Sequence, residues 1–266
     1  APLFAPHNPY DQTTIDIMDS ELPPAWTAEG SRKFLLGTDD MGRDMLSTML
    51  SGMRISIIIG LGAVALQAVF GIVFGLLSGY INRFDAILMR IADVQLSFST
   101  YMIAIFIGAT FQMVFGVANY EKIAAPLLIL IIGLAEWPQY ARTVRASVLA
   151  ERKKEYVEAA RVIGLSKIRI MWRHILPNTL SPVLVISTVQ VANAIMSEAA
   201  LSFLGLGMPQ SKPSLGSLIT AGFEYIFSGT WWITIFPGIL LVLLILVINL
   251  LGDWVRDYLN PKLYKG

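Results

Sequence analysis

Residues 142–178 read RTVRASVLAERKKEYVEAARVIGLSKIRIMWRHILPN. The apolar positions fall at helical spacing, in two short stretches. Tyr156, Ala159, Ala160 and Ile163 share one face of the first stretch. The two alanines keep that face low, so another protein's backbone can approach it closely. Gly164 follows and can take the positive φ that ends a helix. Ser166 is placed to N-cap a second helix, in which Ile168, Met171, Trp172 and Ile175 form another apolar stripe. Pro177 marks a turn before the next apolar block. The same periodicity also fits an amphipathic hairpin lying on lipid headgroups, and spacing alone does not separate the two readings.

On both sides of this segment the chain is strongly apolar. Of its 266 residues 55% are hydrophobic and 15% charged, against about 25% charged in an ordinary soluble domain. The apolar residues gather in blocks at 55–80, 87–117, 123–149, 180–206 and 231–251. Each is long enough to cross a bilayer, which takes roughly 20 mostly apolar residues. An amphipathic stretch at 44–55 precedes the first block, and Pro138 is a kink site in the third. The expected architecture is one all-α integral membrane domain with five spanning helices. Its parts are an external polar segment within 1–54, a transmembrane domain over 55–252 that includes the loop at about 150–178, and a tail at 253–266.

The basic residues orient these blocks. With the 150–178 loop inside, 14 of the 20 Lys and Arg residues fall on inner segments and six on outer ones, the bias expected of a cytoplasmic face. Residues 7–54 and 207–230 are then outside and the C-terminus inside. Five helices with that C-terminus put the N-terminus outside, so a sixth helix is expected before this one, ending at APLFAP (1–6). A net charge of +1 gives no electrostatic reason to expect nucleic acid. With no cysteine and only His7 and His174, thiolate chemistry and multi-histidine metal sites are excluded.

Glu158-Ala159-Ala160, then Gly164, then Leu176-Pro177 resemble the EAA loop of ABC-importer permeases. His174 stands where the general pattern has Ile, and Arg-His-Ile-Leu-Pro-Asn resembles the peptide branch of that family. LGTDDMGRD (36–44), EAALSFLGLG (198–207) and GDWVRDYLNPK (252–262) look like further segments of the same branch. The chain as a whole is similar to the C-type permease subunit of bacterial dipeptide/oligopeptide importers.

That resemblance implies a type I ABC importer transmembrane fold in the bacterial inner membrane. It implies a homologous B-type permease subunit, two ATP-binding subunits and an extracytoplasmic solute-binding protein as partners. No cofactor is expected in this chain, since ATP and magnesium would be bound by the partner ATPases, and the chain itself is not an enzyme. The coupling residues are expected to be Tyr156, Glu158, Ala159, Ala160, Gly164, Leu176 and Pro177. A non-peptide cargo, such as a nickel chelate, glutathione or another small solute, is the alternative within the family.

The chain has no Gly-rich run ending in Gly-Lys-Ser/Thr, so no phosphate cradle of its own. Asp93, Glu136 and Glu198 lie within or near apolar blocks, where a carboxylate costs roughly 2.5–3.5 kcal/mol. With Asn193, they are candidates to line a path and meet a peptide ammonium; helix-packing roles are the alternative. Gln67, Gln95 and Asn193 read as interhelical hydrogen bonds rather than a substrate site. Asp39, Asp40, Arg43 and Asp44 form a charged cluster that could touch a docked binding protein, brace the path entrance or form a self-contained salt-bridge network. A membrane enzyme would need convergent catalytic groups, and a stand-alone secondary transporter commonly has inverted repeats; neither pattern is in the sequence.

Overall fold

The computed structural model describes residues 8–10 and 16–258, except for the side chain of Ile17. The expected end of a preceding helix at 1–6, together with residues 259–266, lies outside the described residues. Nine α-helices occur among the described residues: α1 (Met45–Tyr80), α2 (Asn82–Leu96), α3 (Thr100–Phe115), α4 (Val117–Glu151), α5 (Glu155–Val162), α6 (Lys167–Ile170), α7 (Leu176–Phe203), α8 (Leu215–Phe223) and α9 (Trp232–Tyr258). A π turn, Met171–Ile175, joins α6 to α7. Among the described residues the only β pairing is an isolated bridge between Thr38 and Asp44.

Among the described residues four stretches are long and apolar enough to cross a membrane alone: α1, α4, Lys167–Phe203 and α9. The fifth expected span is a pair. The 87–117 block breaks after Leu96, and α2 and α3 are bent by 82°. The break falls at Ser97-Phe98-Ser99, where the Ser97 hydroxyl donates back to the Asp93 carbonyl and competes with helix continuation. The stretch at 44–55 is not a separate amphipathic helix but the first turns of α1. Asp44 starts it, accepting from the Ser47 N–H at 3.0 Å. Helix α4 runs without interruption through Pro138.

The chain folds as two compact units. One contains the described residues of Ala1–Leu61, with Ile105–Leu128 and Ala194–Val247. Its core packs Met45, Met49, Leu218, Trp232 and Ile233 together. The Trp232 indole donates to the Thr38 carbonyl at 3.1 Å. Helix α8 belongs here, within a stretch expected as external loop. Ser214 and Ser217 cap it reciprocally, and Leu215 and Leu218 are buried. Nine residues are too few for its period to stand out in the sequence.

The other unit contains Gly62–Ala104, Ile129–Asn193 and the described residues of Ile248–Gly266. Here α1 and α4 approach closely along Gly71, Gly75 and Gly79. A Cβ on these glycines would come within 2.1 Å of the Tyr140 Cβ, 2.6 Å of the Val144 Cβ and 2.7 Å of the Val148 Cβ. Small residues four apart let membrane helices gain dispersion contacts that lipid cannot replace. Ala92, Trp137 and Ala141 form a second core, with Phe74 edge-on to Trp137 at 4.8 Å.

Candidate functional site

The loop at 152–178 is built around one corner. Helix α5 ends in a glycine C-cap: Gly164 has φ +84°, its N–H donates to Arg161 O at 3.0 Å, and Leu165 N–H reaches back to Ala160 O at 3.1 Å. These are the paired bonds of a Schellman motif, which needs a left-handed residue at that position. A Cβ on Gly164 would meet nothing within 4 Å, so backbone conformation, not space, demands glycine. The next helix starts as expected, with the Ser166 side chain accepting from Arg169 N–H.

Two expectations about this loop are corrected. Pro177 does not mark a turn, because α6, the π turn and α7 form one continuous helical run through it. Proline has no N–H and its ring collides with the carbonyl four residues earlier in a regular helix. The π turn widens the helix just before that position, with Leu176 N–H bonding to Met171 O five residues back. Nor do Ala159 and Ala160 form one outward face. Ala160 is buried with Val157, while Ala159 is exposed. The second stripe also divides, with Met171 and Ile175 buried against Ile168 and Trp172 exposed.

What the corner presents outward is therefore Glu158, Ala159, Val162, Ile163, Ile168 and Trp172. Val162 is 88% exposed, Ile163 76% and Ile168 68%. Tyr156 braces the corner from behind. Its hydroxyl donates to Glu151 Oε2 at 2.6 Å and accepts from Asn178 Nδ2 at 3.3 Å. Burial, with the Glu151 carboxylate beside it, pushes its pKa up to about 12, so it stays a donor. Leu176 is half-buried and Pro177 exposed.

Among the described residues the path candidates share no single hydrogen-bond network. Asp93 pairs with Arg142, both about half exposed. Glu136 and Asn193 are brought together through Gln190, which the sequence had not singled out. Gln190 Nε2 donates to Glu136 Oε2 at 3.2 Å, and Asn193 Nδ2 donates to Gln190 Oε1 at 2.8 Å. Gln67 joins this network through its contact with Gln190 at 3.5 Å. Gln95 makes interhelical bonds, accepting from the Trp137 indole at 2.9 Å and donating to the carbonyls of Leu134 and Ala135.

Glu198 belongs to the other unit and is fully buried. Three serine hydroxyls donate to it: Ser56 to Oε2 at 3.0 Å, Ser202 to Oε1 at 2.7 Å and Ser214 to Oε1 at 2.6 Å. Ser56 also accepts from Leu215 N–H, so the cluster fixes the start of α8 against α1 and α7. The cluster at 39–44 turns inward as well. Arg43 Nε meets Asp39 Oδ2 at 2.6 Å with both side chains buried, and Arg43 Nη1 donates to Gln210 O at 2.9 Å. For Asp39 and Arg43 this geometry is that of a self-contained network.

The comparisons with known proteins bear on the whole chain. The family model described as binding-protein-dependent transport system inner membrane component matches residues 71–265. The di/tripeptide transport system permease protein DppC of Pseudomonas aeruginosa is 37% identical over 264 residues, covering 99% of this chain and 82% of that protein. The dipeptide transport system permease protein DppC of Escherichia coli strain K12 is 38% identical over 98% of this chain and 82% of its own length. A putative peptide transport system permease protein of Brucella suis is 42% identical over 86% and 74%. In fold, a chain of the inward-facing MetNI methionine ABC transporter matches with a TM-score of 0.64 at 18% identity, over 81% of this chain and 98% of that one. A chain of an amino acid ABC transporter crystallised with histidines matches at 0.57 and 14% identity, over 80% and 94%. These likenesses and the helical architecture give the type I ABC importer membrane fold. With its helices long enough to span, its family match and its near full-length relatives, the chain belongs to the binding-protein-dependent transport system inner membrane components, the permeases of ABC importers.

Proposed function

We propose that this permease forms part of the membrane path for di- or oligopeptides handed over by a solute-binding protein, and that the Gly164 corner couples it to a partner ATPase. Support for the cargo comes from the peptide names of relatives that match nearly the full chain. Support for the coupling role comes from one observation. A corner held by a Schellman motif exposes Val162, Ile163, Ile168 and Trp172 beside Glu158 and Ala159. Apolar groups this exposed on a rigid corner suit a partner protein's groove. ATP hydrolysis, with its magnesium, then resides in two partner subunits, and a homologous permease completes the path. ATP favours one orientation of such an assembly only if it binds that state better, so the corner must move as a body with α7. The continuous run from Lys167 through the π turn into α7 supplies that stiffness.

The basic-residue bias puts this corner on the cytoplasmic side, where ATP is. Replacing Ile163 with Asp tests the reading directly. The side chain is exposed, so the fold should survive, while co-purification of the ATPase subunits and peptide uptake should both be lost. Normal uptake by this variant would sink the coupling role. A wild-type complex that takes up no dipeptide but does carry another solute would overturn the cargo.

A further inference from the structure

The acidic side chains of the unit that holds Ile129–Asn193 are compensated very unequally. Asp85 receives a bidentate guanidinium, Arg145 Nε at 2.6 Å and Nη2 at 2.7 Å, plus the Ser78 hydroxyl. Asp93 has Arg142. Glu136, in the middle of the apolar helix α4, has neither. Its Oε2 accepts one neutral amide, Gln190 Nε2, at 3.2 Å. Its Oε1 has no partner among the described residues. That oxygen is not sealed in either, because among the described residues the one fully buried side-chain atom without a partner is Thr234 Oγ1. Glu136 as a whole is 9% exposed.

The groups around it are oriented acceptors and carriers of acceptors. Gln190 turns its amide nitrogen toward Glu136 and Gln67, and its oxygen is taken by Asn193 Nδ2. Asn193 is exposed and its Oδ1 accepts from no described group. Tyr140, one turn along α4 from Glu136, directs its hydroxyl to Ser187 Oγ at 3.0 Å. An open carboxylate oxygen at mid-span, supplied with one neutral donor and no cation, is an electrostatic site lacking its counter-charge. Two accessible oxygens near one amide relay suit a group with several N–H donors and a positive charge.

We propose that Glu136, held by Gln190 and assisted by Asn193, is a station for a primary ammonium group, the free N-terminus of the cargo peptide during its passage. The proposal rests on the peptide reading above. It goes beyond helix packing because packing is satisfied by an amide at position 136, whereas ammonium recognition needs the charge.

The test uses the full complex with its partner permease, ATPases and binding protein, in proteoliposomes. Uptake of labelled dialanine, ATP hydrolysis and the amount of assembled complex are measured together. For Glu136→Gln, uptake per ATP hydrolysed should fall about tenfold, with assembly and hydrolysis within about twofold of wild type; Glu136→Asp should recover a large part. Wild-type uptake by Glu136→Gln would overturn the station, and so would a loss that merely tracks loss of assembled complex. No dialanine uptake by the wild-type complex would overturn the peptide reading and the station with it. Replacing sodium and potassium with a bulky organic cation separates the sources of positive charge. Unchanged wild-type uptake assigns the peptide ammonium, and a loss equal to that of the variant assigns an inorganic cation and overturns the ammonium.

Discussion

Glu198 and Glu136 are both carboxylates in long apolar helices, and they are treated in opposite ways. Glu198 is closed: three hydroxyls donate to it, both oxygens are taken, and the residue is fully buried. Glu136 is open, with one amide on one oxygen. The same contrast separates Asp39–Arg43, an ion pair buried inside one unit, from the exposed apolar corner at Gly164 in the other. Polar groups that hold a unit together are saturated by the chain itself. Groups left unsaturated, whether a carboxylate oxygen or an apolar corner, are available to something that is not this chain.

The strongest way to break the comparison is Glu198→Ala. It strands three buried hydroxyls and opens a void at the start of α8, and should cost about 3–5 kcal/mol, as breaking buried charged networks does. Loss of folded subunit from the membrane and a large drop in thermal stability in detergent would show it. If Glu198→Ala were as stable as wild type, the closed class would be empty. Glu136→Gln, by contrast, should leave stability nearly unchanged.

Gly164→Val is a smaller perturbation of the fold and a larger one of function. A β-branched residue at positive φ costs roughly 1–2 kcal/mol, and the open space around Gly164 means no clash adds to it. The subunit should insert and assemble, yet uptake should uncouple from ATP hydrolysis because the corner is re-aimed. Coupled transport by this variant would place the coupling element elsewhere.

Asp93→Asn sharpens the comparison from the exposed side. The pair with Arg142 is about half exposed on both partners, and solvent screening limits such a pair to about 0–1 kcal/mol. Thermal stability should hardly move. A shift as large as that of Glu198→Ala would mean the pair is desolvated in the assembled complex.

Asp40→Asn should give the smallest effect, and of opposite sign. Burial, with the adjacent Asp39 carboxylate, raises the Asp40 pKa above the ordinary carboxylate range, although Arg43 opposes this. An acid whose folded pKa is raised weakens the folded state above that value and is relieved as pH falls through the window between its folded and unfolded values. The neutral amide should therefore raise the melting temperature by about 1 °C at pH 7. It should also remove the relief that wild type gains on acidification. A lower melting temperature would show that the Asp40 charge is used in a contact.

Much of this was legible in the residues themselves. The apolar blocks, their helical state and the break at Gly164 follow from local physics: lipid demands internally satisfied backbones, and a helix needs glycine where φ turns positive. What local pattern could not decide is where each side chain ends. Ala159 and Ala160 are adjacent and identical, yet in the folded chain Ala160 is buried and Ala159 exposed. Pro177 signals a turn by its chemistry, and the π turn before it cancels that signal. Above all, Glu136 and Glu198 look alike in sequence, as single acids in apolar helices. Their fates depend on partners far along the chain, Gln190 at 54 residues from Glu136 and Ser56 at 142 residues from Glu198. A hydrogen bond is decided within about 3 Å, and only the folded chain brings residues so distant in sequence to that range.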